Sequence, residues 1–200
     1  ESVFDPYGYF IGSKVEPLPS RPAINLASAS VALVGDKSNS AFTGPVSGGR
    51  FRLEVSQSVG SVNFTSLVLD VRRYFNPNKN ITFAARALHF GRYGNNLETD
   101  RNTARIQPYF LGYETFIRGY SFESFDAEEC RATQLESGAV QGTCPGFDRL
   151  FGHRLGVVNF EIRVPFFGTE RFGLINFPYL PTELFGFADA GFAFNDFDEL

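Results

Sequence analysis

The sequence predicts an all-β fold, an antiparallel transmembrane β-barrel segment, on three observations. Apolar and polar residues alternate over about seven runs of roughly ten to thirteen residues, the length at which a tilted strand crosses a membrane. Soluble strands usually run nearer five or six residues, so the lengths favour a barrel wall over a sandwich. No segment carries a helical period of comparable strength, which disfavours a βαβ arrangement. No run approaches eighteen consecutive apolar residues, so no transmembrane helix is expected. That absence is neutral toward a barrel, whose alternating strands keep mean hydropathy low. The 24 Phe and 8 Tyr suit a barrel and equally suit an aromatic-rich soluble β-sandwich.

Residues 1–22 mix Gly, Pro and aromatics without a period and form an unassigned lead-in to a barrel segment at 23–200. An apolar stretch from Ile24 to Val34 ends at the loop signal Gly35 to Ser40. The clearest strand follows, with Phe51, Leu53, Val55 and Val59 alternating against Arg50, Arg52, Glu54, Ser56 and Ser58. One apolar face and one charged face are what a half-buried antiparallel strand requires. After Gly60 the pattern resumes with Leu67, Leu69 and Val71 opposed by Ser66, Asp70 and Arg72. The polar turn Asn76 to Asn80 reverses the chain. Ile81, Phe83, Ala85 and Ala87 then oppose Thr82, Arg86 and Arg92, and residues 93–103 make a polar connection.

Ala104 to Phe116 is expected to be a further strand, ending where Arg118 turns beside Gly119. Gly tolerates the tight or positive-φ backbone such a turn needs. A cation after so apolar an approach needs a partner, because a buried unpaired charge costs several kcal/mol. Glu161 and Asp189, on later strand-like runs, are the candidate partners; the alternative is a solvated hairpin-tip Arg. Residues 121–150 form a long loop holding the acidic run Asp126 to Glu129 and both cysteines. In an oxidising compartment, a disulfide between Cys130 and Cys144 is the preferred reading. Beyond the loop, Val158, Phe160, Ile162 and Val164 alternate with Asn159, Glu161 and Arg163. The period puts Glu161 on the polar face, which in a membrane barrel is the lumen. Asp189 shares its side with Phe185 and Phe187, which implies a filled lumen at that level. Residues 195–200 are polar and acidic.

Three of these segments carry a family resemblance. Phe116 to Tyr120, Phe-Ile-Arg-Gly-Tyr, resembles the Arg-Gly-aromatic motif of the Omp85 superfamily of outer-membrane barrels. Glu161 to Pro165 and Phe187 to Gly191 are similar to that family's Glu-x-x-x-Pro and Phe-x-Asp-x-Gly signatures, and the resemblance covers roughly residues 24–194. It implies the C-terminal half of a sixteen-stranded barrel without its final strands. It also implies that the loop at 115–150 dips into the lumen, where Arg118, Gly119 and Tyr120 lock to Glu161 and Asp189. Ile117, Pro165, Phe187 and Gly191 would support that lock. The implied function is a bacterial outer-membrane machine that inserts, assembles or translocates proteins. Its implied partners are outer-membrane lipid, client or passenger proteins and periplasmic domains of the same polypeptide. A soluble secreted β-sandwich binding module and a passive structural outer-membrane barrel are the alternatives.

Other chemistries lack support. The net charge is -4 and the 18 basic residues are scattered, so no nucleic-acid surface is expected. No phosphate-binding Gly loop, Cys-x-x-Cys or His-rich pattern occurs, so neither a cofactor nor a metal is expected. His89 and His153 stand apart without obvious carboxylate partners, and an enzyme is not expected. Asn63 and Asn80 open N-glycosylation patterns that carry no meaning in a bacterial barrel. The chain begins at Glu1 with no Met and no signal-peptide pattern, so it reads as an excised fragment.

Overall fold

The computed structural model describes residues 2–4, 10–13, 23–41, 43–94, 97, 106–119, 131–134, 140–143 and 145–195. Its strands are β1 (Ser2–Phe4), β2 (Phe10–Ser13), β3 (Leu26–Asp36), β4 (Asn39–Ser40), β5 (Pro45–Gly60), β6 (Phe64–Asn78) and β7 (Ile81–Tyr93). They continue as β8 (Tyr109–Phe110), β9 (Arg131–Gln134), β10 (Val140–Thr143), β11 (Phe151–Gly152), β12 (Arg154–Gly168), β13 (Ile175–Asn176) and β14 (Thr182–Phe194). One helical turn, α1 (Pro145–Asp148), precedes β11. The fold of the described residues is all-β.

Six long strands build one wall, in the order β3-β5-β6-β7-β12-β14, each pair antiparallel. The wall is an open sheet among the described residues, with β3 and β14 at its edges. A short parallel pairing of β13 with the end of β12 makes the sheet mixed. The pairs β1–β2, β9–β10 and β8–β11 stand as separate two-stranded sheets. Among the described residues, the lead-in at 1–22 thus contains the antiparallel pair β1–β2, and the loop at 115–150 contains the antiparallel pair β9–β10.

The period of two sorts side chains between the faces, and the register aligns them into rows. One row runs Phe51, Val71, Ala87, Val158 and Ala190 across five strands. The next row on the opposite face runs Arg50, Arg72, Arg86, Asn159 and Asp189. On the apolar face Val31, Leu33, Phe51, Leu53, Val55, Leu69, Val71, Val158, Phe160, Ile162 and Leu184 are all exposed. On the polar face the inserted segment 106–119 packs against the wall. Leu111 joins Leu88, Leu155 and Val157 in a buried cluster, flanked by Phe90, Tyr109, Phe116, Ile117, Leu150 and Ala193. Each fully buried aliphatic side chain there stabilises the seating by about 1.5–3 kcal/mol.

The expected strand from Ala104 to Phe116 is not a wall strand. Of its described residues only Tyr109 and Phe110 pair, with Phe151 and Gly152, and the chain then coils through turns to Gly119. Phe116 and Ile117 N–H groups both donate to the Tyr113 carbonyl, at 2.9 and 3.1 Å. The reason is that β7 and β12 pair directly from Arg154↔Gly91 to Arg163↔Thr82, which leaves no slot between them. Among the described residues the long wall strands number six where seven were expected, and several exceed the expected length, with β5 at 16 residues. Tyr120, Cys130 and Cys144 lie outside the described residues.

Candidate functional site

Arg118 is delivered to the wall by the turn that follows Phe116. Gly119 has φ +87, and a Cβ added to it would meet nothing within 4 Å. Glycine is needed there for its backbone conformation and not for room. Gly119→Ala is expected to cost about 1 kcal/mol, read as a lower unfolding midpoint with an unchanged denaturant slope.

From that turn the guanidinium reaches two strands. Its Nε donates to Asp189 Oδ2 at 2.8 Å and its Nη2 to Oδ1 at 2.7 Å, a two-pronged grip on one carboxylate. The Arg118 backbone N–H adds a third bond to Asp189 Oδ2 at 3.0 Å. Nη1 donates to Glu161 Oε1, and Glu161 Oε2 accepts from Arg163 Nε at 2.7 Å. Below the guanidinium lies the Phe187 ring, 4.2 Å from the Arg118 Cζ to the centroid, in cation–π contact. The Asp189 side chain is only 2% exposed, against 27% for Arg118 and 19% for Glu161. Bonding to Asp189 above all raises the Arg118 pKa over its ordinary value, so the cation persists at any working pH.

Arg118, Glu161 and Asp189 therefore meet, and Arg118 is no solvated hairpin tip. Phe187, Gly119, Ile117 and Gly191 are also in place around them; Ile117 and Leu111 lie directly over Gly191. Pro165 is elsewhere. It stands at the irregularity where the β12–β14 register shifts, and its carbonyl accepts from Leu174 N at 3.0 Å.

Sequence reasoning missed the groups that hold the segment's backbone. Asn159 Nδ2 donates to the Phe116 carbonyl at 2.8 Å, and Arg86 Nη1 to the Thr115 carbonyl at 3.3 Å. Arg86 also donates to Asp70 at 3.2 and 3.0 Å, where Arg72 adds two bonds at 3.0 and 2.8 Å. The available signal was the alternation, which placed all four on the polar face; the row shared by Arg72, Arg86 and Asn159, with Asp70 in a neighbouring row, appears only with the register. A cavity of about 210 Å³ lies between this network and the inserted segment, lined by Arg72, Tyr74, Arg86, Glu114, Arg118, Glu161 and Arg163. Its cations already engage carboxylates, so the arrangement clamps the segment to the wall. Among the described residues no group of three His, Cys, Asp or Glu could hold a metal ion.

Fold and site together define a class: an open antiparallel wall, apolar on one face, with an inserted segment ion-paired to the other. No family model, curated protein or solved structure matches the chain.

Proposed function

We propose that this chain is part of an Omp85-type outer-membrane β-barrel, in a machine that inserts, assembles or translocates proteins. The observation that carries the reading is the Arg118 node, in which the three short motifs, far apart in sequence, meet at one point. In this reading the polar face lines the lumen and the inserted segment braces it, while the exposed apolar face meets lipid. A barrel interior tolerates charge only where it is paired or wet, and the ladder of Arg–carboxylate pairs meets that demand. The brace would let a weakly paired seam elsewhere in the barrel open for a client without collapse of the wall. Insertion of clients, export of a passenger and a passive structural role share this architecture.

The apolar face also supports the membrane over a soluble sandwich. A sandwich covers one face of each sheet with another sheet, whereas Val31 is 80% exposed and Val158 57%. The test is fractionation: the polypeptide should sediment with outer membranes, resist extraction by alkali and salt, and need detergent to stay dispersed. Recovery in the soluble fraction without detergent would reject the membrane reading and restore the sandwich. Depletion of the protein in cells should then lower the amount of other barrels, or of one passenger, in the same membrane.

A further inference from the structure

Three connections leave the end of the wall opposite the inserted segment, and one differs from the others. The chain between β3 and β5 carries Lys37, Ser38, Asn39 and Ser40, and the β6–β7 turn is Lys79-Asn80. Both are polar. The connection from Gly168 to Thr182 instead exposes Leu174, Ile175, Phe177, Tyr179 and Leu180, with Tyr179 at 86% and Leu180 at 60%.

This exposure is built in. Thr169 and Phe172 exchange reciprocal backbone bonds at 2.9 and 3.0 Å, and Phe177 N donates to the Gly168 carbonyl at 2.9 Å. β13 adds a rung to the end of β12, and Phe167, Phe177 and Tyr179 follow one another in edge-to-face contact at 5.8 and 5.6 Å. A loop held this firmly cannot fold its own apolar residues away from water. Barrel turns at the non-loop end are usually short and polar, so an ordered apolar one needs an occupant.

We infer that the loop between β12 and β14 is a membrane-interface anchor, seated at the boundary between lipid headgroups and acyl chains. The inference rests on the proposed membrane reading and names the lipid contact of one element. Continuity selects lipid: the loop leaves β12 at Gly168 and enters β14 at Thr182, and the rung Val164↔Leu184 of the apolar face lies inside those two ends. Its chemistry fits the boundary, because a Tyr ring prefers an apolar surround while its hydroxyl prefers water. The loop's charges, Glu170 and Arg171, sit together at the first turn, away from Tyr179 and Leu180 in the chain.

The chain contains no Trp, so one placed in it is a single reporter once any Trp outside these residues is replaced by Phe. Tyr179→Trp and, separately, Phe160→Trp on the apolar face would be reconstituted in phosphatidylcholine vesicles brominated at chosen acyl depths. Bromine near the carbonyl end of the chains should roughly halve the Tyr179→Trp emission, and mid-chain bromine should act less. Phe160→Trp should respond most to mid-chain bromine. If Phe160→Trp is quenched and Tyr179→Trp is quenched by neither lipid, the anchor is overturned while the wall reading stands. Strongest quenching of Tyr179→Trp by mid-chain bromine would also overturn it, since the loop would then lie in hydrocarbon. If Phe160→Trp is unquenched, the wall reading itself falls and takes the anchor with it.

Discussion

Arg118→Ala is expected to release the inserted segment from the wall. Three side-chain bonds and the Phe187 contact vanish together, while Asp189, only 2% exposed, loses its main partner. Removing one member of a buried pair typically costs 3–5 kcal/mol; partial exposure of Arg118 puts this case at about 3 kcal/mol. If that energy holds the segment closed, its opening becomes about a hundredfold more frequent. Chymotryptic cutting after the half-buried Phe116 measures that opening directly. Arg118→Lys keeps the charge but loses the planar fork, so its rate should fall between wild type and Arg118→Ala. Arg92→Ala is the control on the same segment, since Arg92 donates to the Gln107 carbonyl at 2.7 Å and lies 4.0 Å over the Tyr109 ring. Its effect should be several-fold smaller. Equal cutting rates for Arg118→Ala and Arg92→Ala would remove the ion pairs from the account of how the segment is held.

The wall was legible because its strands obey a strict period. Phe51 to Val59 and Val158 to Val164 alternate so regularly that faces, and hence the side of Glu161, follow from sequence alone. The segment before Arg118 was misread for a physical reason. Tyr109, Phe110 and Leu111 are consecutive apolar residues, and an unbroken apolar run states that a segment is buried without saying how. Here it is buried as a coil on the wall, a fact fixed by the direct pairing of β7 with β12, which no local pattern encodes. Asn159 and Arg86 were missed for a related reason. They serve backbone carbonyls at Phe116 and Thr115, and a carbonyl carries no residue identity to search for. Arg118 could be paired in advance only because both of its partners are side chains lying within short motifs.

Gly191→Val should produce the second large effect, through shape instead of charge. Gly191 lies opposite Val157 in the β12–β14 register, beneath the inserted segment. A Cβ there would stand 2.8 Å from Ile117 Cδ1, 2.9 Å from Leu111 Cδ1 and 3.2 Å from the Gly156 carbonyl oxygen. Carbon atoms in good contact keep about 3.5–4.0 Å, so both side chains must withdraw. Alanine could be accommodated by bending their flexible ends. Valine adds two methyl groups at a nearly fixed χ1, and overpacking of this kind costs about 1–3 kcal/mol. Strand propensity works in the opposite direction, because Val suits a strand better than Gly by up to about 1 kcal/mol. Gly186→Val separates the two effects. Gly186 is on the same strand, and nothing stands within 4 Å of its Cβ position, so valine there should be neutral or stabilising. Gly191→Val should accelerate cutting after Phe116 and lower the unfolding midpoint, whereas Gly186→Val should do neither. Combined with Arg118→Ala, Gly191→Val should add much less than its separate effect, since both substitutions unseat one segment. Equal behaviour of the two valine variants, or full additivity with Arg118→Ala, would show that Leu111 and Ile117 do not seat the segment on Gly191.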